Sequence, residues 1–473
     1  MRWLSVALPA LCASHASNTY AQSEEKTPQN VLFLIVDDLR TELNCYGATH
    51  MKTPHIDKLA QEGVMFRNAY CNIPVSGASR ASLFTGLRPG KTRWWDVNAE
   101  IDKEAPGNLT LPQYFRENGY TTISNSKVIH GVKDAAERSW DKLWKPKGKS
   151  STWRDYLGDE NLTTEKEKGG PYAYECLDVA DNEYFDGKTA DKTIKDLRAL
   201  KKEGKPFFLA VGMLKPHLPF NAPRKYWEMY DASDIKVPET FDFNREGFPK
   251  EAFHAWNELR YYKNIPQQGD VQEDEAVRLI HGYRACVSYT DAQIGRILDE
   301  LKRLELDKNT IIVLLGDHGW SLGDHNQWCK HSNFQVVNNA PLIVHVPGRS
   351  KKTVEDKVVE FVDVYPTLCE AAGLPVPAHT EGESLMKLVE GEDKTWKDCA
   401  IVKWHTGVTY FNRTYGYTEW TDKNDEFRAH MLFDYQTDNK EVKNVADLPQ
   451  YQPVVEKLRM EIKKRRGKNY NNN

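Results

Sequence analysis

The chain has 473 residues, of which 40% are hydrophobic and 28% are charged, and its formal net charge at pH 7 is -4. This composition excludes a disordered or fibrous protein, and the slight acidity excludes a general nucleic-acid binder, so any anion must be held by a local cluster of cationic side chains. Single hydrophobic cores stop growing at about 250–300 residues, so the length predicts one large domain with a smaller one appended.

The first 21 residues are predicted to form a secretory signal. Met1-Arg2 precedes an apolar run from Trp3 to Ala13, and Thr19-Tyr20-Ala21 offers a small-residue cleavage site before Gln22. We therefore expect an exported protein, periplasmic or secreted. A buried N-terminal helix is the alternative, which Pro9 disfavours. No later segment has the roughly 18 consecutive apolar residues of a membrane span, so none is expected.

The eight cysteines include no Cys-x-x-Cys pair, which argues against a zinc finger or a thioredoxin-like site. Loss of Cys12 with the signal would leave seven, so at least one thiol stays free. The sequence leaves open whether one or two disulfides form after export.

Apolar runs alternate with amphipathic segments along the rest of the chain. Runs of the length of buried strands occur at 30–36, 206–212, 310–315 and 341–346. Apolar residues at helical spacing occur over 53–62, 111–118, 189–200 and 287–304. This alternation predicts an α/β fold with a sheet covered by helices. Ligands of such sheets collect at the carboxyl ends of the strands, where Asp37-Asp38 and Asp317-His318 stand.

Two segments between these elements, 131–187 and 220–268, lack periodicity and are predicted to be loops over the sheet, where substrate specificity often resides. Strand-like runs and a closing helix near 453–464 predict a smaller C-terminal α+β subdomain; the runs lie at 399–403, 414–421 and 429–434. We divide the chain into the signal, a catalytic domain over 22–395 and the subdomain over 396–473.

Ser76 opens a predicted helix that carries Arg80 one turn later. A helix N-terminus favours an anion through its free N–H groups and its dipole, so the pair is a candidate nucleophile and anion-binding residue. An ordinary helix N-cap is the alternative for this serine.

Paired polar residues at two strand ends indicate a metal site. Adjacent buried carboxylates repel each other and lose solvation, so Asp37-Asp38 needs a compensating cation. With Asp317, His318 and Ser76 these residues would form an oxygen-rich octahedral site, which favours Ca²⁺, or less strongly Mg²⁺, over zinc. Helix capping or a surface salt bridge is the alternative for either pair alone.

Five motifs in this order resemble those of type I, formylglycine-dependent sulfatases. They are Leu34 to Asp38, Ser76 to Arg80 with Thr85-Gly86, Lys127 to His130, Lys215 to Phe220, and Gly316 to Gly319 with Lys330. The stretches 127–130, 215–220 and 317–334 are most similar to the iduronate-2-sulfatase branch. The resemblance implies an alkaline-phosphatase-like sandwich built on a large, mostly parallel sheet.

The resemblance also implies that a maturase oxidises Ser76 to formylglycine (3-oxoalanine). Ser76, Ala78 and Arg80 meet the family signature in its rarer Ser and Ala forms. The hydrated aldehyde would attack sulfur, and the sulfated enzyme would then eliminate sulfate. The roles implied for the other residues are contact with formylglycine by Arg80 and Lys127, base by His130, acid by His217, and sulfate binding by Lys330.

The iduronate-2-sulfatase resemblance suggests as substrate a 2-O-sulfated uronic acid at the non-reducing end of a glycosaminoglycan or an algal uronic polysaccharide such as ulvan. Lys215, Trp320 and Arg93 are weaker candidates for substrate contact. Other candidates for the pocket wall or for a carboxylate contact are Trp94, Trp95, Trp328 and Arg413.

Two other functions compete with this one. A two-zinc phosphatase or phosphodiesterase of the same superfamily takes its second metal through an Asp followed four residues later by His. No His in this sequence has that spacing, and after Asp291 the position is Gly295. A carbohydrate-binding pseudoenzyme would result if Ser76 were never oxidised. Oligomeric state is not predicted.

Overall fold

The computed structural model describes residues 29–470 except 151, 166, 168, 169, 393, 394 and 398. The predicted signal therefore lies outside the described residues. Within the described ranges, no helix combines the length and the apolar composition needed to cross a bilayer. All seven cysteines that the structure describes carry free thiols.

The strands, in chain order, are β1 Asn30–Val36, β2 Val64–Tyr70, β3 Thr121–Ser126, β4 Lys142–Trp144, β5 Tyr174–Leu177, β6 Phe207–Met213, β7 Phe220–Pro223, β8 Thr310–Gly316, β9 Ser321–Leu322, β10 Trp328–Cys329, β11 Leu342–His345, β12 Val354–Glu360, β13 Ala400–Trp404, β14 Gly407–Phe411, β15 Tyr415–Thr421 and β16 Phe427–Asp434.

The helices are α1 Pro54–Glu62, α2 Ser76–Thr85, α3 Ile101–Glu104, α4 Leu111–Glu117, α5 Ala136–Ser139, α6 Asp159–Thr164, α7 Phe185–Glu203, α8 Arg224–Trp227, α9 Asn257–Arg260, α10 Glu273–Arg303, α11 Gln335–Asn338, α12 Val364–Ala371, α13 Met386–Val389 and α14 Gln452–Tyr470.

An eight-stranded sheet with the order β12-β2-β11-β8-β1-β6-β3-β4 forms the centre of the molecule. β11 runs antiparallel to β8 and β2, whereas the other neighbouring pairs are parallel. The predicted covered, mostly parallel sheet is thus confirmed. The carboxyl ends of the neighbouring parallel strands β8, β1, β6 and β3 meet at one edge, and this arrangement positions the site described below.

The apolar run of β1 forms a strand because both of its faces are covered. Leu32, Leu34 and Val36 pack into one hydrophobic cluster with α1, α7 and α10. The alternate residues Val31 and Phe33 pack into a second cluster on the opposite face, with Ile35 and residues of α2, α4 and α12. Such two-sided burial removes the polar alternation typical of a half-exposed strand.

The four predicted helices are present, although the fourth begins at Glu273 rather than near Val287. Its first turn carries Glu273, Asp274 and Glu275, which suit the positive end of a helix dipole. The segments predicted as loops also contain short pieces of structure, namely β4, β5, β7, α5, α6, α8 and α9.

The C-terminal part forms a separate antiparallel sheet with the order β13-β14-β15-β16. α14 covers it through Val455, Leu458 and Ile462, which pack against Val408 and Tyr417 among others. The smaller C-terminal α+β subdomain is confirmed by this sheet and helix.

Candidate active site

Ser76 is the first residue of α2 and lies at the carboxyl edge of the large sheet. Its hydroxyl does not cap the helix, because Oγ donates to Asp37 Oδ1 at 3.1 Å and lies 3.0 Å from His318 Nε2. The next residue must be small, since a Cβ on Gly77 would lie 2.1 Å from the carbonyl oxygen of Val97. The helix start is thereby held close to the acidic strand ends.

Three buried carboxylates meet beside Ser76 because β1 and β8 are parallel neighbours that end together. Asp37 and Asp38 follow β1 and Asp317 follows β8, and none of the three is exposed. Asp38 has a left-handed backbone (φ 59°), and its N–H donates to Asp317 Oδ1 at 3.0 Å. The hydroxyl of Tyr283 fixes this turn by donating to the carbonyl oxygen of Asp38 at 2.8 Å.

Arg80 forms hydrogen bonds with two of these carboxylates. Its fully buried guanidinium donates from Nε to Asp317 Oδ2 at 2.9 Å and from Nη2 to Asp37 Oδ1 at 3.0 Å. Nη1 donates to the carbonyl oxygens of Lys127 and Val128. The planar fork of arginine thus holds the ends of β1, β8 and β3 in one geometry.

Two lysines approach the same carboxylates from the cavity side. Lys127, which directly follows β3, forms an ion pair with Asp37. Lys330 Nζ lies 3.1 Å from Asp38 Oδ1 and 3.0 Å from Glu258 Oε1. These cations partly neutralise an acidic cluster that water does not reach.

The pKa values of Asp37 and Asp38 are shifted in opposite directions. Burial alone would raise the pKa of Asp37, but the positive charges around it, with Lys127 first and Arg80 beside it, outweigh this effect and hold the pKa well below its usual range. Burial raises the pKa of Asp38 well above its usual range, and Lys330 offsets only part of that effect. The negative charge at Asp38 is therefore incompletely balanced by the side chains around it.

The donor set fits a divalent cation. Ligand atoms of Asp38, Asp317 and His318 lie within 4.8 Å of one another. His318 Nδ1 contacts the carbonyl oxygen of Gly319 at 2.9 Å, which directs Nε2 toward Ser76 and the carboxylates. Carboxylate oxygens are ligands of hard divalent ions, and an added positive charge would relieve the imbalance at Asp38.

A cavity of about 900 Å³ opens over Ser76. Its lining brings together Ser76 and four other predicted site residues, namely Lys127, His130, His217 and Lys330.

The two histidines of the cavity differ in their surroundings. Burial and the charge of Lys127 lower the pKa of His130 to about 4, so its ring is neutral at neutral pH, and its buried Nδ1 has no hydrogen-bond partner in the described part of the chain. Burial and the charge of Lys330 also lower the pKa of His217. Nδ1 of His217 lies 2.7 Å from the carbonyl oxygen of Leu218, whereas Nε2 lies 3.1 Å from Glu258 Oε1 and 3.4 Å from Lys330 Nζ.

The three weaker substrate candidates are not among the residues that line this cavity. The ammonium of buried Lys215 donates to the carbonyl oxygens of His217 and Pro219, so it stabilises the turn after β6. Arg93 forms an ion pair with Glu381. Trp320 is buried, with the ammonium of Lys330 4.9 Å from its ring centre.

The remaining candidates are also elsewhere. Trp94 and Trp328 are buried in the packed interior, and Trp95 has its ring under the ammonium of Lys403. Arg413 is exposed at the turn between β14 and β15 and does not line the cavity.

Sequence reasoning missed several side chains that do line the cavity. They are Lys145, Lys147, Trp153 and Glu258, all within the two segments predicted as loops. Their residue types offered a signal, since lysine, tryptophan and glutamate are common in sugar and sulfate sites, but no motif or periodicity marked them.

Comparison with known proteins identifies the family. A family model described as Sulfatase matches residues 29–374, well over half of the chain. The chain belongs to the sulfatase family. A second model, described as N-sulphoglucosamine sulphohydrolase, C-terminal, matches residues 323–468 of this sulfatase. The sulfatase is therefore a sulfuric ester hydrolase, as the motif resemblance implied.

Two curated relatives and one solved structure show which sulfatases this chain is similar to. Human iduronate 2-sulfatase is 35% identical over 420 residues, covering 79% of this chain and 74% of the relative. A sulfatase of Formosa agariphila is 30% identical over 453 residues, covering 93% and 87%. A chain solved in complex with its substrate D-glucosamine-2-N,6-O-disulfate superposes with a TM-score of 0.72 at 21% identity, covering 94% and 99%.

These relatives confirm the resemblance to the iduronate-2-sulfatase branch. They also confirm the alkaline-phosphatase-like fold, with its large, mostly parallel sheet and its small C-terminal antiparallel sheet.

Proposed function

We propose that this sulfatase is exported and removes sulfate from a sulfated carbohydrate by means of a formylglycine made from Ser76. The observation that carries the proposal is the position of the Ser76 hydroxyl, which lines the cavity and lies between Asp37 and His318. An N-capping serine would instead direct its oxygen at the N–H groups of its own helix.

The groups that the family uses would fit at this position. Asp37, Asp38, Asp317 and His318, with residue 76, would hold a divalent ion, and the oxygen-rich donor set favours a hard ion, with Ca²⁺ placed before Mg²⁺, over zinc. Such an ion supplies positive charge that polarises an oxygen at residue 76. The hydrated aldehyde supplies one hydroxyl for attack on sulfur and a second one whose deprotonation releases sulfate.

The side chains of the cavity take the remaining roles. Lys127 and Lys330 place positive charge beside the sulfonyl oxygens, where negative charge is largest in the transition state. Neutral His130 accepts the proton whose removal releases sulfate. His217 serves as the acid toward the leaving alcohol through Nε2, which requires the doubly protonated ring, and the carboxylate of Glu258, 3.1 Å from Nε2, favours that charged form. Arg80 does not reach the cavity and keeps Asp37 and Asp317 in register.

For the substrate, we propose a 2-O-sulfated uronic acid at the non-reducing end of a glycosaminoglycan or an algal uronic polysaccharide. The support is the 35% identity with human iduronate 2-sulfatase. A cavity of about 900 Å³ is also the size that holds one or two sugar rings.

Oxidation of Ser76 is tested first. The protein is coexpressed with a maturase for serine-type sulfatases, and the peptide that contains Ser76 is analysed by mass spectrometry. Conversion to formylglycine removes two hydrogens, and we expect sulfate release from defined sulfated oligosaccharides to scale with the converted fraction. Ser76→Ala is the matched control, expected to fold normally and release no sulfate.

Two results would contradict the proposal. A fully unmodified Ser76 peptide after coexpression would favour the carbohydrate-binding pseudoenzyme. Release of sulfate from simple aryl sulfates, with none from sugars, would contradict the proposed carbohydrate substrate. It would still agree with sulfatase activity.

A further inference from the structure

The cavity over Ser76 carries two lysines that the proposed catalytic steps do not use. Lys145 and Lys147 line it on the segment that follows β4, and both side chains are exposed. Within the described ranges, neither ammonium group has an ion pair or a hydrogen bond. Lys127 and Lys330 differ from them, since each already contacts a buried carboxylate.

The charge around these two lysines is unbalanced. Among the described residues that line the cavity, Glu258 is the one acidic side chain. Its carboxylate is already engaged by Lys330 at 3.0 Å and by His217 at 3.1 Å. Partial burial and the charge of Lys127 lower the pKa of Lys145, which an anion bound beside it would reverse. The wall formed by Lys145 and Lys147 thus attracts negative charge.

A large aromatic ring lines the same cavity. The side chain of Trp153 is 45% exposed. Its ring meets His217 edge-on, with 4.8 Å between ring centres. The guanidinium of Arg154 lies 4.9 Å from the Trp153 ring centre and 4.2 Å from that of Tyr261, which helps to fix the indole. An exposed indole beside the proposed acid offers an apolar surface to a sugar ring.

These observations together specify more than a sulfate ester. The sulfate ester that is cleaved carries one negative charge. In the proposed function it binds beside Ser76, between Lys127 and Lys330. We infer that Lys145 and Lys147 bind the second anionic group of the substrate, the carboxylate of the proposed uronic acid or a second sulfate in its place, while Trp153 packs against the sugar ring. This inference rests on the proposed function and makes the cavity selective for doubly anionic sugars.

Kinetics on matched substrates test the inference. Three saccharides share the scissile sulfate and differ in the second group, which is absent, a carboxylate or another sulfate. For the double variant Lys145→Gln/Lys147→Gln we expect kcat/KM on a doubly anionic sugar to fall at least about tenfold, because charge-assisted contacts are lost. On the singly charged sugar kcat/KM should fall by less than about twofold. Lys149→Gln is the matched control, because it removes an exposed charge from the same segment outside the cavity lining.

Binding separates this inference from the proposed function. Calorimetric titration of Ser76→Ala with each saccharide needs no formylglycine, so it reports on Lys145 and Lys147 even if no sulfate is released. We expect the doubly anionic sugars to bind at least about tenfold more tightly than the singly charged one, and the lysine substitutions to remove that preference. The sugar that shows the larger preference identifies the second group as carboxylate or sulfate. Equal affinities for all three sugars, or an equal loss on all three, would overturn the inference.

Discussion

Arg80 shows how one fully buried side chain can hold two acidic residues in a fixed geometry. Its guanidinium contacts the carboxylates of Asp37 and Asp317, and both partners are fully buried. In Arg80→Lys the charge is kept, but a single ammonium cannot donate to both carboxylates. We expect kcat/KM for sulfate release to fall at least about a hundredfold and the free energy of unfolding to fall by about 3 kcal/mol, as when a buried ion pair is broken.

Urea unfolding and sulfate release measure these two effects. Arg116→Lys is the control, because Arg116 forms a partly exposed pair with Asp141 at 2.8 Å. That pair should contribute less than about 1 kcal/mol, and its loss should leave catalysis unchanged. Equal effects of the two substitutions would show that Arg80 has no special structural role.

At the same scale, the sequence indicated some residues around Ser76 and not others. Asp37, Asp38 and Asp317 follow long apolar runs, so the sheet alone brings them to one edge. Glu258 and Trp153 have no such signal, because their places depend on how irregular segments pack across the sheet. The partners of Arg93 and Lys215 were not predictable for a related reason, because the sequence does not show that Glu381 lies beside Arg93 or that a backbone turn surrounds Lys215.

At the scale of elements, α10 holds α1 through Asp291. Its Oδ1 accepts the backbone N–H groups of Ile56 at 2.8 Å and His55 at 3.1 Å, in the first turn of α1. A Cβ on Gly295 would lie 2.4 Å from the ring of His55, so the two helices are in close contact there. Asp291 and Gly295 thus both serve the packing of α10 against α1.

Asp291→Ala leaves these N–H groups without an acceptor. We expect the free energy of unfolding to fall by about 1–3 kcal/mol, the cost of an unsatisfied buried donor. Asp291→Asn keeps an accepting oxygen and should lose less than about 1 kcal/mol. Both variants should release sulfate at the wild-type rate once folded. The turnover of Asp291→Asn is measured at a temperature where the variant is as fully folded as wild type. A large loss of turnover under that condition would instead connect this helix pair to catalysis.

Strands were predictable where the buried run is apolar throughout and less so where polar residues or glycine occupy buried positions. The run of β1 is apolar throughout, which marks a strand without reference to its neighbours. β3 has the sequence TTISNS and β14 the sequence GVTYF, and neither has a long apolar run. β3 takes its strand conformation from pairing with β6, which is distant in sequence, and β14 from pairing with its chain neighbours β13 and β15.

At the scale of the whole molecule, the C-terminal subdomain supports the segment that presents Lys330. The ring of His331 stacks on Trp404, with 4.9 Å between centres, and the Asn333 amide donates to Thr409 at 2.9 Å. The Gln335 backbone N–H donates to Glu441 at 2.7 Å. The small sheet is therefore part of the framework of the active site.

Glu441 makes this support depend on pH. Its carboxylate accepts hydrogen bonds from the Gln335 N–H and from the Tyr435 hydroxyl at 2.8 Å, and burial raises its pKa to about 8. An exposed glutamate titrates near pH 4.3. Between these pH values the unfolded chain binds fewer protons than the folded one, so this group's contribution to stability is lost as the pH rises from about 4.5 to 8.

Glu441→Gln should flatten that loss, because the neutral amide still accepts from Gln335 and can donate to the Tyr435 oxygen. We expect the free energy of unfolding, measured by urea titration between pH 5 and 8, to fall less steeply in the variant by up to about 1.4 kcal/mol per pH unit. At pH 8 the variant should be at least as stable as wild type. Glu246→Gln changes an exposed glutamate and should keep the wild-type slope. If the free energy of unfolding of Glu441→Gln fell with pH as steeply as that of wild type, Glu441 would already be ionised in the folded protein. The contact between the subdomain and the active site would then not depend on the protonation of Glu441.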